Sequence, residues 1–327
     1  MSAVKEALLS VVRRLLEWRQ TNPRLAMFAF IVVMAWIYHR TRKYLRGPRS
    51  VKNKIVLITG GVSGIGRQTA LQLKSMGATV IVWDINKSGL EEMSNNVDMV
   101  ALVDITNKAK VDENAQKVLQ RYPNGIDVLI NNAGIVIGKP LLELSEGQIR
   151  KCFDVNVISH FFTIQAFLPK MIEKGRSNKN NWCQIVTISS TAGRMGVARL
   201  TDYCATKYAC RGLTESVHSE LSELGHTHIG VSTIQPYLIN TGMFDGAVDS
   251  QTLIMRLCGC YFLEQDYVAD QIVRAIQYNK RNVILPTELS VITSWEHTMP
   301  DELKDYLLSI GPSFKQVIGR GHGKPAR

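Results

Sequence analysis

Tyr203 and Lys207 stand four residues apart at the start of a stretch with helical patterning. A helix there places both side chains on one face. A phenol titrates near ~10 in water. An ammonium beside it favours the phenolate, which can then serve as a general base near neutral pH. Ser190 lies thirteen residues upstream, at the end of the apolar run that leads into TISSTAG. That separation lets the chain loop back and set the hydroxyl beside Tyr203. Asn156, in DVNVIS, follows Asn131 by 25 residues. A Tyr-Lys pair at this spacing is common by chance, so its meaning depends on the other members of the set.

A second group is suited to holding a phosphate. Thr59-Gly60-Gly61-Val62-Ser63-Gly64-Ile65-Gly66 joins an apolar strand to a helix. Glycines permit a tight turn and a close backbone approach, and the helix N-terminus offers free N–H groups with a partial positive charge. The spacing Gly60, Gly64, Gly66 differs from the G-x-G-x-x-G of many dinucleotide folds. Asp84 ends the next strand, eighteen residues after Gly66. A carboxylate there accepts hydrogen bonds from ribose hydroxyls and repels a 2′-phosphate, which favours NAD. Lys87 nearby keeps NADP open.

These groups need a frame that gathers strand ends. Apolar β-rich runs at Lys54–Thr59, Thr79–Trp83, Met99–Val103, Ile126–Ile130, Gln184–Ser189, Ile229–Ile234 and Asn282–Leu285 alternate with helical stretches. The main helices are expected at Gly64–Met76, Asn107–Arg121, Ser145–Glu173 and Tyr203–Leu224. Several of the strands are continuous apolar runs, as strands covered on both faces must be. The pattern predicts an α/β, doubly wound parallel sheet. Ligands bind at the C-terminal edge of such a sheet, which is where Gly60, Asp84, Asn131-Asn132-Ala133-Gly134 and Ser190 fall.

The net charge of +11 argues for a nucleic-acid partner until it is divided. Residues 1–50 hold ten basic and two acidic residues, so +8 sits there and only +3 in 51–327. That disfavours a basic nucleic-acid-binding face. Residues 4–18 pattern as a basic amphipathic helix of the membrane-surface kind. After a break at Asn22-Pro23-Arg24, Leu25 to Tyr38 runs fourteen residues without a charge. At 1.5 Å each that is about 21 Å, short of the ~30 Å hydrocarbon core, so the segment either crosses with snorkelling Arg24 and Arg40 or embeds in one leaflet. His39-Arg40-Thr41-Arg42-Lys43 stands where a cleavage site would be needed, so an uncleaved anchor is expected. The six cysteines show no disulfide or zinc pattern and read as free thiols, and the seven scattered histidines offer no metal site.

TGGVSGIG, NNAG, Asn156, Ser190 and Y-C-A-T-K, five separated motifs in order, resemble the short-chain dehydrogenase/reductases over about residues 51–290. The resemblance implies a Rossmann-type sheet of about seven strands. It implies that Tyr203 exchanges a proton with the substrate oxygen and that Ser190 hydrogen-bonds that oxygen. Lys207 would bind the nicotinamide ribose and lower the Tyr203 pKa, and Asn156 would hold a relay water. Gly60, Ser63, Gly64, Ile65 and Gly66 would cradle the cofactor. Asn132, Ala133 and Gly134 would lie towards its adenosine ribose, Asp104 near the adenine, and Ile239 and Thr241 at the carboxamide. Tyr237 stands where the family usually has glycine. Within the family, WDIN (83–86), YCATK and INTGMF (239–244) look like the membrane-bound subgroup that includes retinol dehydrogenases and lipid-droplet 17-beta-hydroxysteroid dehydrogenases. That implies a lipophilic alcohol or ketone as substrate, membrane lipid as a partner, a homodimer, and a domain facing the cytosol from the endoplasmic reticulum or a lipid droplet. An NADPH-dependent carbonyl reductase and a scaffold that binds cofactor without turnover are the alternatives. The apolar segment 242–263 is expected as a lid or a core element, and 291–327 as a C-terminal extension.

Overall fold

The structure is a computed structural model that describes residues 47–177, 181–240 and 261–290, with 22–24, 27, 28, 30, 31, 34, 35 and 38 near the N-terminus. The helix expected over 4–18, Thr241, most of the 242–263 segment and the 291–327 extension lie outside the described residues. Packing divides the chain into two units, Met1–Arg49 and Ser50–Arg327.

In the first unit the described positions from Pro23 to Tyr38 are helical. The helix therefore starts at Pro23, where the break was expected, because proline lacks only an N–H that a first turn does not use. Met27, Phe28, Phe30, Ile31, Met34 and Tyr38 are all exposed along it. Among the described residues no helix is long and apolar enough to cross a membrane.

The second unit is built on seven parallel strands: β1 (Ile55–Thr59), β2 (Thr79–Asp84), β3 (Met99–Leu102), β4 (Val128–Asn131), β5 (Cys183–Ile188), β6 (Ile229–Pro236) and β7 (Asn282–Leu285). They lie in the order β3-β2-β1-β4-β5-β6-β7. The order reverses between β1 and β4, and that switch point opens a crevice at the C-terminal edge. The helices are α1 (Gly64–Ser75), α2 (Lys87–Met93), α3 (Lys108–Arg121), α4 (Glu146–Phe153), α5 (Ser159–Ser177), α6 (Thr201–Glu223) and α7 (Gln265–Gln277).

Alternation along the strands explains the two layers. Val56, Ile58, Val80 and Val82 face one core with Leu73 of α1 and Ile272 of α7. Leu57, Ile81 and Trp83 face the other, with Val118 of α3, Phe167 of α5 and Leu221 of α6. Trp83 and Phe167 pack with ring centroids 5.5 Å apart. The helical region expected as one piece over Ser145–Glu173 is divided. A capping box of Ser145 and Gln148 starts α4, and a π-helical turn over Asp154–Ile158 separates it from α5. The apolar pattern does not register the extra residue of that wider turn, which is a common device at functional sites.

Candidate active site

The glycine turn depends on its glycines, as Gly60 and Gly66 show. Gly60 has φ +66°, and a Cβ on it would lie 2.8 Å from the Ala133 Cα. A Cβ on Gly66 would lie 2.3 Å from the Gly60 carbonyl oxygen, so α1 can pack this closely only with glycine there. Ser63 precedes α1 without capping it, and the first turn holds no acidic residue. Asn86, Asn107 and Ser145 cap α2, α3 and α4 through their side chains, whereas α6 and α7, like α1, start without a side-chain cap. The α1 N-terminus around Gly64 and Ile65 thus keeps its N–H groups for an anion.

Asp84 sits half-buried at the end of β2. Its carboxylate accepts from Val62 N at 3.2 Å and Asn86 N at 3.0 Å, which ties it to the turn. Both oxygens retain lone pairs for a ribose hydroxyl. Asn132 lies against this turn and fastens it. Its amide donates to the Thr59 and Gly60 carbonyls, each at 2.9 Å, and so locks the end of β4 onto the turn. Thr59 completes the joint, its hydroxyl accepting from the Asn132 and Ala133 N–H groups at 3.1 and 3.2 Å. Asp104 is exposed, and one of its oxygens is taken by the Thr106 N–H and hydroxyl. Ile239 is buried beside a bridge to Leu263. That bridge uses the Leu238 carbonyl and the Asn240 amide, leaving the Ile239 amide and carbonyl out of the pairing. Leu263, expected in a lid or in core, is core.

Ser190, Tyr203 and Lys207 meet beyond β5. Ser190 begins a short 3-10 turn, donates to the Pro236 carbonyl at 3.2 Å and accepts from Ala192 N at 3.2 Å. Tyr203 lies in the first turn of α6, and Lys207 one turn later has its Nζ 5.4 Å from the Tyr203 ring centroid. All three are buried. Burial pushes the Tyr203 phenol above its ordinary value, while the Lys207 charge and a hydrogen bond with Ser190 pull it down without cancelling the shift. Lys207 donates to the Ile188 carbonyl at 2.9 Å, which spends one of its three protons.

Asn156 belongs to the π turn. Its Oδ1 accepts from Ile135 N at 2.8 Å, and its Nδ2 donates to the Ile135 carbonyl at 3.0 Å, Thr206 Oγ1 at 3.1 Å and Cys152 Sγ at 3.4 Å. The side chain is a latch on the loop after β4. Gly134 lies between it and the lysine: a Cβ there would be 3.2 Å from Asn156 Oδ1 and 3.5 Å from Lys207 Nζ. Thr59, Cys152, Thr206 and Cys210 support these groups and were not singled out for such roles by sequence reasoning. Their long-range partners are 50 to 74 positions away, so no local pattern marks them.

The donor set fits a nicotinamide dinucleotide. An uncapped helix N-terminus faces the switch point, a carboxylate ends β2, and a Tyr-Lys pair stands at the far side of the crevice. Comparison with known proteins agrees. Residues 54–252 match the family described as short chain dehydrogenase. The chain is 33% identical over 278 residues to estradiol 17-beta-dehydrogenase 11 of Mus musculus, covering 83% of this chain and 88% of that protein. It is 36% identical over 244 residues to epidermal retinol dehydrogenase 2 of Homo sapiens, covering 73% and 75%. Its fold is similar to a 3-ketoacyl-(acyl-carrier-protein) reductase from Brucella melitensis complexed with NADH, with a TM-score of 0.63, 24% identity, and coverage of 72% of this chain and 98% of that one. The chain belongs to the short-chain dehydrogenase family and is an NAD(P)-dependent oxidoreductase.

Proposed function

We propose that this protein oxidises the hydroxyl of a lipophilic alcohol, a retinoid or a steroid, with NAD as hydride acceptor. The observation that carries the reading is the meeting of Ser190, Tyr203 and Lys207 at the sheet edge where the phosphate-binding turn opens. The names of the relatives support the substrate class. When bound, the nicotinamide takes up the hydride from the carbinol carbon. The protein's own part is proton handling. Tyr203 removes the hydroxyl proton, and Ser190 hydrogen-bonds the same oxygen. Lys207 holds a ribose hydroxyl with its remaining protons and stabilises the phenolate through its charge. Because burial raises the Tyr203 pKa, Lys207 and an oxidised cofactor's positive charge are both needed to bring it into range.

Asp84 supports NAD through its repulsion of a 2′-phosphate. Exposed Lys87, at the start of α2, supports the second reading, an NADPH-dependent reductase of lipid ketones. The exposed apolar side chains between Met27 and Tyr38 support membrane association, and the resemblance to the membrane-bound subgroup supports the endoplasmic reticulum or a lipid droplet, with the enzyme facing the cytosol. Exposed Ile158, Phe161 and Tyr208, on or beside α5 and α6, support a homodimer paired through those helices.

The test presents retinol, estradiol and their carbonyl forms to the full chain with NAD and with NADP. Oxidation with NAD is expected. A strong NADP preference that survives Asp84→Ala removes the assignment of Asp84. Bound cofactor with no turnover of any of the four leaves a scaffold instead.

A further inference from the structure

Behind the reacting groups, a buried thiol touches the one part of Asn156 that its side-chain latch leaves unexplained. Cys210 is one turn after Lys207 on α6 and fully buried. Its Sγ lies 2.9 Å from the Asn156 main-chain carbonyl, as donor. Residues three apart share a helix face, so Lys207 and Cys210 are directed to the same side of α6. Lys207 and Asn156 both converge on Gly134. The thiol, the ammonium and Asn156 are therefore coupled through α6 and the π turn.

A third group stands behind the sulfur. His160 is 1% exposed, and its Nδ1 is 3.9 Å from Cys210 Sγ. Burial, with Lys207 as a second cause, pushes its pKa down to about 3, so the ring is neutral at working pH. The single S–H of Cys210 is committed to the carbonyl. Nδ1–H is then the consistent donor towards sulfur, which leaves Nε2 as a lone pair, and among the described residues Nε2 has no hydrogen-bond partner. Burial also raises the Cys210 pKa, which keeps the thiol protonated and able to donate. A thiolate there would have no proton for the carbonyl.

We propose that Cys210 is a positioning residue for the reaction: its thiol fixes the Asn156 carbonyl and thereby the π turn, the latch on Ile135 and the place of Lys207 beside Tyr203. This rests on Ser190, Tyr203 and Lys207 being the reacting set. Losing the thiol loosens the lysine and weakens its pull on the phenol. The Tyr203 pKa then rises, and the acid limb of the oxidation profile, where activity appears as Tyr203 deprotonates, moves to higher pH.

Two measurements on the full chain test the idea. The first is the infrared S–H stretch, read as the difference between wild type and Cys210→Ala. A band displaced to the low frequency of a bonded thiol supports the proposal, and a band at the free-thiol position overturns it, whether or not a substrate is known. The second is kinetic, with retinol or estradiol. Cys210→Ala is expected to lower kcat about ten-fold with KM changed less than about two-fold, and to shift the acid limb upward. Cys210→Ser keeps a donor and should restore most of the rate. If Cys210→Ala melts earlier yet keeps its kcat and pH limb, the thiol is packing only and the proposal fails. Tyr203→Phe in the same assay separates the two readings: undiminished turnover there rejects the reacting set itself, independently of what Cys210 does.

Discussion

Asp127 and Asp202 are both buried carboxylates, 3% and 5% exposed, near opposite edges of the same sheet. Asp127 stands just before β4, at the N-terminal edge. It takes Lys54 Nζ at 3.1 Å, Lys174 Nζ at 2.8 Å and Ile55 N at 2.8 Å. Lys54 also lies 4.7 Å from the Trp182 ring centroid. Asp202 stands in the first turn of α6, at the C-terminal edge, and among the described residues its carboxylate has only the Cys152 thiol as a weak hydrogen-bonding neighbour. Among the described residues, Trp83 Nε1, Asn131 Nδ2, Thr187 Oγ1, Gln235 Nε2 and His160 Nε2 have no hydrogen-bond partner, and all lie near strand ends or helix starts of the C-terminal edge. Buried polar groups are usually satisfied, so a cluster of exceptions on one side marks where the fold is organised for something other than its own stability. One edge clamps the domain, and the other holds groups that catalysis or a ligand must use.

The sharpest way to break this division is Tyr203→Phe. Phenylalanine keeps the ring under Lys207 and removes only the hydroxyl, so the fold should melt within a few degrees of wild type. Loss of a general acid–base group should lower kcat/KM by about 10²- to 10⁴-fold. A variant that instead unfolds would show that the hydroxyl is part of the scaffold. Asp127→Asn should behave in the reverse manner. It leaves Lys54 and Lys174 largely buried without a counter-charge, and breaking such a pair costs about 3 kcal/mol or more. Denaturant midpoints should fall sharply at unchanged m, while the folded fraction keeps its KM for cofactor.

Acid gives a third comparison. His160 has a folded pKa of about 3 against the ordinary 6.5. The unfolded chain therefore binds more protons, and the stability held by neutral His160 is complete above pH 6.5 and lost as pH falls from there towards 3. At pH 5 the loss is about 2 kcal/mol. His160→Gln should flatten the dependence of the midpoint between pH 7 and 5; an unchanged slope would mean that other groups set it.

Much of this edge could be read from the chain before folding it. Continuous apolar runs such as VLIT and TVIVW required two covered faces, and the glycines at 60, 64 and 66, with Asp84, located the switch point. The Tyr203–Lys207 spacing located the lysine because an α-helix has a fixed period. The clamp at the other edge was invisible. Lys54 and Asp127 are 73 positions apart and only the parallel pairing of β1 with β4 brings them together. The π turn was hidden for a different reason: one inserted residue leaves an apolar stripe almost intact while rotating everything after it. The NNAG motif puts Asn132 towards the cofactor without showing that it also fastens the turn. Its amide is consumed by two carbonyls of the glycine turn, and a short polar side chain gives no sign in sequence of which neighbour it will satisfy.

Asp202→Asn is the smallest expected effect and the closest test of the contrast, because the same substitution should have opposite signs at the two carboxylates. At Asp127 the charge is matched, so neutralising it removes an interaction. At Asp202 the charge carries the cost of burial with only the weak Cys152 thiol as a hydrogen-bonding neighbour, offset in part by its place in the first turn of α6, where a negative charge interacts favourably with the helix by about 0.3–1 kcal/mol. Asparagine removes the ionic part of that cost and keeps the size. The expected result is a gain of about 1 kcal/mol in stability with the fold unchanged. Because Asp202 adjoins Tyr203, the gain should come with a measurable change in the pH profile of turnover if the buried acid serves the site. A loss of stability comparable to that of Asp127→Asn would show that Asp202 is clamped in the working protein, and the two edges would then differ in chemistry but not in how their charges are held.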